Sequence, residues 1–265
     1  MTSWAQRSRK AAATVNRNIH ATIAYDGTDF LGWQSQPSGR TVQDTVEAAL
    51  RELHGHAVPV RVAGRTDSGV HADGQSINFM SDSAVPEERF PEAMNSLLPN
   101  DVRVLRSERV GEDFDARFDA RIRVYLYRIS TRRMADPIAR RFCWTLHREP
   151  DIIRLNRYAS YLVGSHDFST FAASGDTSAS RVRTIHSACF YASPRHLLFK
   201  IAGNAFLYRM VRSLVGTMIE MEARGTAAEE MGRILEAKER ERAGQTAPAW
   251  GLSLHRVIYD EREFY

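Results

Sequence analysis

Two kinds of hydrophobic spacing follow each other along this chain, and they do so in the same order twice. Ile19, Ala21, Ile23 and Tyr25 alternate with His20, Thr22, Ala24 and Asp26, the period of a half-buried strand. A loop rich in Gly, Pro, Ser and Gln spans 27–40. Thr41 then opens a helix with the stripe Val42, Val46, Leu50 and Leu53; Asp44 is its capping partner and Gly55 closes it. The pattern predicts strands at Val58–Ala63 and Gln75–Met80, a short helix at Phe90–Leu98 and a strand at Val102–Val110. Residues 113–121 read as a linker. Beyond it the pattern predicts a strand at Ile122–Thr131 and a helix at Asp151–Leu162, then strands at Val182–Tyr191 and His196–Ala202. Helices at Phe206–Glu222 and Ala227–Arg240 and a strand at Leu252–Tyr259 complete the chain.

The order strand, helix, strand, strand, helix, strand is the split βαβ, ferredoxin-like arrangement, and the second copy carries one extra helix. The expected class is therefore α+β: two ferredoxin-like (βαββαβ) lobes with mixed or antiparallel sheets joined around a central cleft. The lobes are residues 19–112 and 113–265. Residues 1–18, basic and without an acidic residue or a clear period, read as a disordered arm.

Chemistry concentrates in Ala63–Gln75, where Gly64, Gly69 and Gly74 frame Arg65, Asp67, His71 and Asp73. A polar, glycine-shaped loop between two strands is a place where a rigid scaffold positions reactive groups. Asp67 is one carboxylate; two-carboxylate chemistry needs Asp73 as its second acid. Beside Arg65, Asp67 reads either as a nucleophile kept ionised by an opposite charge or as half of a structural pair, with equal weight. His71, Asp67 and Asp73 are ligand types at a spacing that matches no standard metal site. Tyr125 and Tyr127 stand among Arg121, Arg123 and Arg128, which suits stacked single-stranded bases and ordinary core tyrosines alike. Arg212 lies within an apolar helical stripe, so its guanidinium either extends to solvent or reaches a buried carboxylate.

Composition narrows the classes. The 36 basic and 32 acidic residues leave a formal charge of +4, and arginine clusters at 7–17, 117–133, 140–141, 181–183 and 209–212 fit RNA or another polyanion. No apolar run approaches the ~20 residues that cross a bilayer, and no secretory pattern opens the chain. No Gly-x-Gly-x-x-Gly follows a strand, and no phosphate loop is present. Cys143 and Cys189 read as buried thiols of a reducing compartment, giving a cytoplasmic expectation.

Several longer stretches belong together. They are Tyr-Asp-Gly-Thr-Asp-Phe-Leu-Gly-Trp-Gln-Ser-Gln (Tyr25–Gln36), Thr-Val-Gln (Thr41–Gln43) and Gly-Arg-Thr-Asp-Ser-Gly-Val-His-Ala (Gly64–Ala72). Further on come Tyr-Leu-Tyr-Arg-Ile (Tyr125–Ile129), His-Asp-Phe-Ser-Thr-Phe (His166–Phe171), Asn-Ala-Phe-Leu-Tyr-Arg-Met-Val-Arg (Asn204–Arg212) and Ala-Pro-Ala-Trp-Gly-Leu-Ser-Leu (Ala247–Leu254). In these the chain resembles the TruA family of tRNA pseudouridine synthases. The resemblance implies a pseudouridine synthase fold and isomerisation of uridines 38, 39 and 40 in the anticodon stem-loop of tRNA. It implies Asp67 as the catalytic aspartate, Arg212 paired with it, and Tyr125 stacked on the target base and acting in proton transfer at C5. It further implies Arg65 holding the flipped nucleotide and Leu252 packing against the base. It implies a homodimer crossed by RNA, with no metal and no organic cofactor. The competing readings are a non-catalytic tRNA-binding or chaperone protein and a metal-dependent nuclease using His71 and Asp73.

Overall fold

Thr41 caps the first helix as its spacing predicts: its hydroxyl accepts from the Asp44 N–H at 3.2 Å, and Gly55 ends the helix in the left-handed region at φ 78°. The computed structural model describes residues 16–131 and 136–264. The first half contains β1 (Arg17–Tyr25), α1 (Val42–His54), β2 (Arg61–Val62), β3 (His71–Ser81), α2 (Phe90–Asn95) and β4 (Val102–Arg109). The second contains β5 (Ile122–Thr131), β6 (Trp144–Leu146), α3 (Ile152–Ser160), β7 (Gly164–Asp167), β8 (Val182–Ala192) and β9 (Leu197–Gly203). It ends with α4 (Met210–Ala223), α5 (Glu229–Ala237) and β10 (Leu252–Ile258).

The strands form one mixed sheet in the order β4-β1-β3-β10-β5-β9-β8-β7, with β2 added to β3 and β6 to β5. Each half thus places its four principal strands fourth, first, third, second: β4-β1-β3-β2 and β10-β5-β9-β8. The halves meet where β3 and β10 run parallel, Ser253 opposite His71 and Leu254 opposite Ala72. One core, containing Ile77, Phe79, Phe90, Tyr127, Tyr158 and Phe199, runs through both halves. A smaller cluster of Ile122, Val124, Ala202 and Ile258 takes the alternate positions of β5. At roughly 1.5–3 kcal/mol for each large apolar side chain buried, this shared core outweighs the exposed ion pairs in holding the halves together.

Several elements differ from the hydrophobic pattern, each for a local reason. The glycine-framed loop ends at Val70 rather than Gln75, because His71–Gly74 belongs to β3. Pairing with β1 (Tyr25 opposite Ala72) and with β10 makes a strand of this polar stretch. Of the predicted strand Val58–Ala63 only Arg61–Val62 is laddered; Pro59 has no N–H to contribute. β6 and β7 are too short and polar to show a period. The helix predicted from Phe206 begins at Met210, after Arg209 in the left-handed region at φ 60°. α5 stops at Ala237, followed by Lys238 at φ 58°. Cys143 is buried as expected, but Cys189 is exposed, on the opposite side of β8 from buried Phe190. Of the basic arm, residues 1–15 lie outside the described residues, while Arg17 and Asn18 open β1. Among the described residues no helix is long and apolar enough to cross a membrane.

Candidate active site

The segment between β2 and β3 is shaped by the Gly-, Pro- and Gln-rich loop laid against it. Trp33 N–H donates to Thr66 O at 3.0 Å, and Gly69 N–H to Phe30 O at 3.2 Å. The approach requires glycine at position 32, where φ is +95° and a Cβ would lie 2.6 Å from Thr66 O. Beneath it, the Tyr25 hydroxyl meets Thr66 Oγ1 at 2.8 Å, and Gln75 Nε2 donates to Gly64 O at 2.7 Å. Burial pushes the Tyr25 phenol up to about 12, so it is a neutral partner. Asp67 is thereby presented at a turn whose neighbours are fixed on both sides.

Arg212, in the first turn of α4, reaches across from the second half. Its Nη1 donates to Asp67 Oδ2 at 2.9 Å, and its Nε to Ala247 O at 2.8 Å. The two side chains keep 14% and 15% of their exposure, so the pair is shielded yet reachable. Gly216 makes this possible. A Cβ there would stand 1.8 Å from Gln245 O, so the chain leading to Ala247 can lie directly on α4.

Tyr125 and Tyr127 leave β5 on the same face but differ in use. Tyr127 is fully buried and donates to Pro248 O at 2.8 Å, a core role. Tyr125 is also largely buried, its ring edge-on to Phe206 with centroids 5.1 Å apart. Its hydroxyl lies 3.8 Å from the position a Cβ on Gly64 would take. Burial raises the Tyr125 phenol well above its ordinary range; the Asp67 charge adds to this and Arg123 opposes it. Leu252 is buried at the head of β10 opposite Tyr127, two residues before Leu254, which faces Tyr125.

Arg65 is exposed, and no hydrogen bond or ion pair engages it among the described residues. The partner of Asp67 is Arg212, not its sequence neighbour Arg65. His71 and Asp73 serve the junction between the halves. His71 Nδ1 accepts from Gly27 N–H at 3.0 Å, while Nε2 faces Arg141 O and Trp250 O at 3.1 Å each. Burial keeps this ring below its ordinary pKa despite Asp26 at 3.2 Å, consistent with a neutral imidazole protonated at Nε2. Asp73 Oδ2 accepts from Arg128 at 2.9 Å and meets His255 at 3.4 Å.

Three contributors carry no charged or reactive side chain to mark their part. Phe206 is hidden inside an apparent helical stripe. Ala247 acts through its carbonyl, and Gly216 acts by lacking a side chain.

Two like halves merged into one sheet, with a carboxylate of the first held by an arginine of the second, are the arrangement of a pseudouridine synthase fold. The chain belongs to the tRNA pseudouridine synthase family, whose model matches residues 21–119 and 158–260. It is 42% identical over 243 residues to tRNA pseudouridine synthase A of Acetivibrio thermocellus, covering 92% of this chain and 100% of that one. It is 43% identical over 237 residues to the protein of that name from Halalkalibacterium halodurans, covering 89% of this chain and 90% of that one. The Treponema denticola protein of that name is 42% identical over 251 residues, covering 92% of this chain and 94% of its own.

Proposed function

We propose that this protein isomerises uridine to pseudouridine at positions 38, 39 and 40 of the tRNA anticodon stem-loop, with Asp67 as nucleophile. The observation that carries the reading is the Arg212–Asp67 pair. Arg212 holds Oδ2, and Oδ1 has no hydrogen bond among the described residues. One oxygen is anchored and the other is left to react.

The reaction breaks N1–C1′, turns the base and joins C5 to C1′; the hydrogen on C5 is replaced by one on N1. It is an isomerisation and calls for no outside electron acceptor. An ionised Asp67 serves attack at sugar C1′, addition at base C6, or removal of a sugar proton to give a glycal. In each, the fixed guanidinium orients the carboxylate before the chemistry begins. Tyr125 meets the base as a neutral phenol. Drawing the uridine out of its stack costs a few kcal/mol. Contacts from the unengaged Arg65, stacking on Tyr125 and packing against Leu252 offset that cost. The enzyme works as a cytoplasmic homodimer, with the RNA crossing both subunits.

Incubating the protein with unmodified tRNA transcripts and mapping pseudouridine by position tests this. Modification confined to 38, 39 and 40 is the expected result. Salt-dependent tRNA binding without any pseudouridine would leave the non-catalytic reading standing instead.

A further inference from the structure

Arg123 sits two residues before Tyr125 on β5, so both side chains leave the strand on one face. All five of its N–H donors are engaged, and every acceptor is a main-chain carbonyl. Nε and Nη2 donate to Ala63 O at 3.3 and 3.0 Å. Nη2 also donates to Arg117 O at 2.6 Å, and Nη1 to Ala120 O and Asn204 O at 2.7 Å each. Among the described residues no carboxylate pairs with it, and burial lowers its pKa. A partly desolvated cation without a counter-ion is a poor way to gain stability. What this one provides is geometry. Ala63 leads into the Asp67 turn, Asn204 leads into the turn before α4 and Arg212, and Arg117–Ala120 belongs to the connection between the halves.

We propose that Arg123 is a positioning residue: its planar fork fixes the Asp67 turn and the approach to Arg212 relative to Tyr125 on the strand between them. The inference rests on the proposed isomerisation. It goes beyond that reading by assigning a role to a residue that touches neither substrate nor carboxylate.

Arg123→Lys keeps the charge and the aliphatic stem, but its three donors cannot hold four carbonyls in a plane. Arg123→Gln removes the charge as well. Each variant is compared with wild type for kcat, KM and tRNA Kd, with folded enzyme quantified by its thermal transition. The expected result is a fall in kcat of about 100-fold per folded molecule, the scale of an ångström-sized misplacement, with KM and Kd unchanged. A purely structural residue would lower the melting temperature and leave kcat per folded molecule at the wild-type value. That outcome overturns the proposal, as does the failure of both variants to fold. If wild-type enzyme forms no pseudouridine, the proposed function falls instead, and the two failures are told apart.

Discussion

Gly216→Ala sets helix propensity against packing. Gly216 lies in the middle of α4, where alanine is favoured over glycine by roughly 1 kcal/mol on propensity alone. The new methyl group, however, would stand 1.8 Å from Gln245 O and 3.1 Å from Ala247 N. Ordinary contact begins near ~3.5 Å, so segment 245–247 must retreat by about 1.7 Å. It cannot do so freely. Ala247 N–H donates to Arg212 O at 3.1 Å, Ala247 O accepts from Arg212 Nε at 2.8 Å, and Gly244 N–H donates to Thr217 Oγ1 at 2.9 Å. Overpacking of this kind costs about 1–3 kcal/mol, which outweighs the propensity gain. The expected net loss is about 1 kcal/mol, or roughly 2–4 °C in Tm for a chain of this size. The larger effect falls on turnover. With its Nε partner displaced, Arg212 no longer fixes Asp67, and misplacement on this scale costs about 100-fold. Thermal melts and single-turnover pseudouridine formation measure both. A variant with a raised Tm and full turnover would refute the reasoning.

Other substitutions test separate parts of the account. Tyr125→Phe keeps the ring against Phe206, so its melting temperature stays close to wild type while turnover falls; equal turnover in the two proteins would remove the hydroxyl from the chemistry. Arg209→Gly relieves a left-handed residue, worth about 1–2 kcal/mol. It also loses the guanidinium 4.8 Å from the Tyr208 ring centre, worth about 0.5–1 kcal/mol. A small rise in Tm is expected, and a fall would show that the strain is not there. For Asp73, burial acts to raise the carboxyl, but the His255 hydrogen bond and the Arg128 charge and hydrogen bond bring it down to about 2. Its folded pKa is below its unfolded one, so its contribution is complete above about pH 4 and fades as the pH falls through about 2. Asp73→Asn should therefore lower stability by under ~1 kcal/mol at pH 7, the pair being partly exposed, with the gap closing near pH 2. A gap independent of pH in urea titrations would contradict this.

Much of the architecture is legible because its signals are local. The Thr41–Asp44 cap, the Gly55 stop and the alternation of Ile122–Thr131 each depend on residues a few positions apart. What joins the halves is not local. β3 begins at His71 because β10, some 180 positions later, pairs with it, and nothing in a polar Gly-Val-His-Ala-Asp run announces a strand. The same limit applies to the site. A charged residue inside an apolar stripe marks Arg212 as needing a partner, but its spacing cannot say that the partner is Asp67. Arg65, the nearer arginine in sequence, is the one left unengaged. His71 and Asp73 resemble ligands by residue type alone. Their actual partners are a main-chain N–H, two carbonyls, Arg128 and His255, contacts that no composition reveals.

The central claim is that Asp67, anchored through Oδ2, drives the isomerisation through its other carboxylate oxygen. Asp67→Asn retains the shape of the side chain and removes its charge. Release of tritium from C5-labelled uridine in tRNA, followed for wild type and variant under single-turnover conditions, tests the claim most directly. The account predicts release by the wild type and none by Asp67→Asn, with tRNA binding retained by both. Release by the variant at the wild-type rate would contradict it.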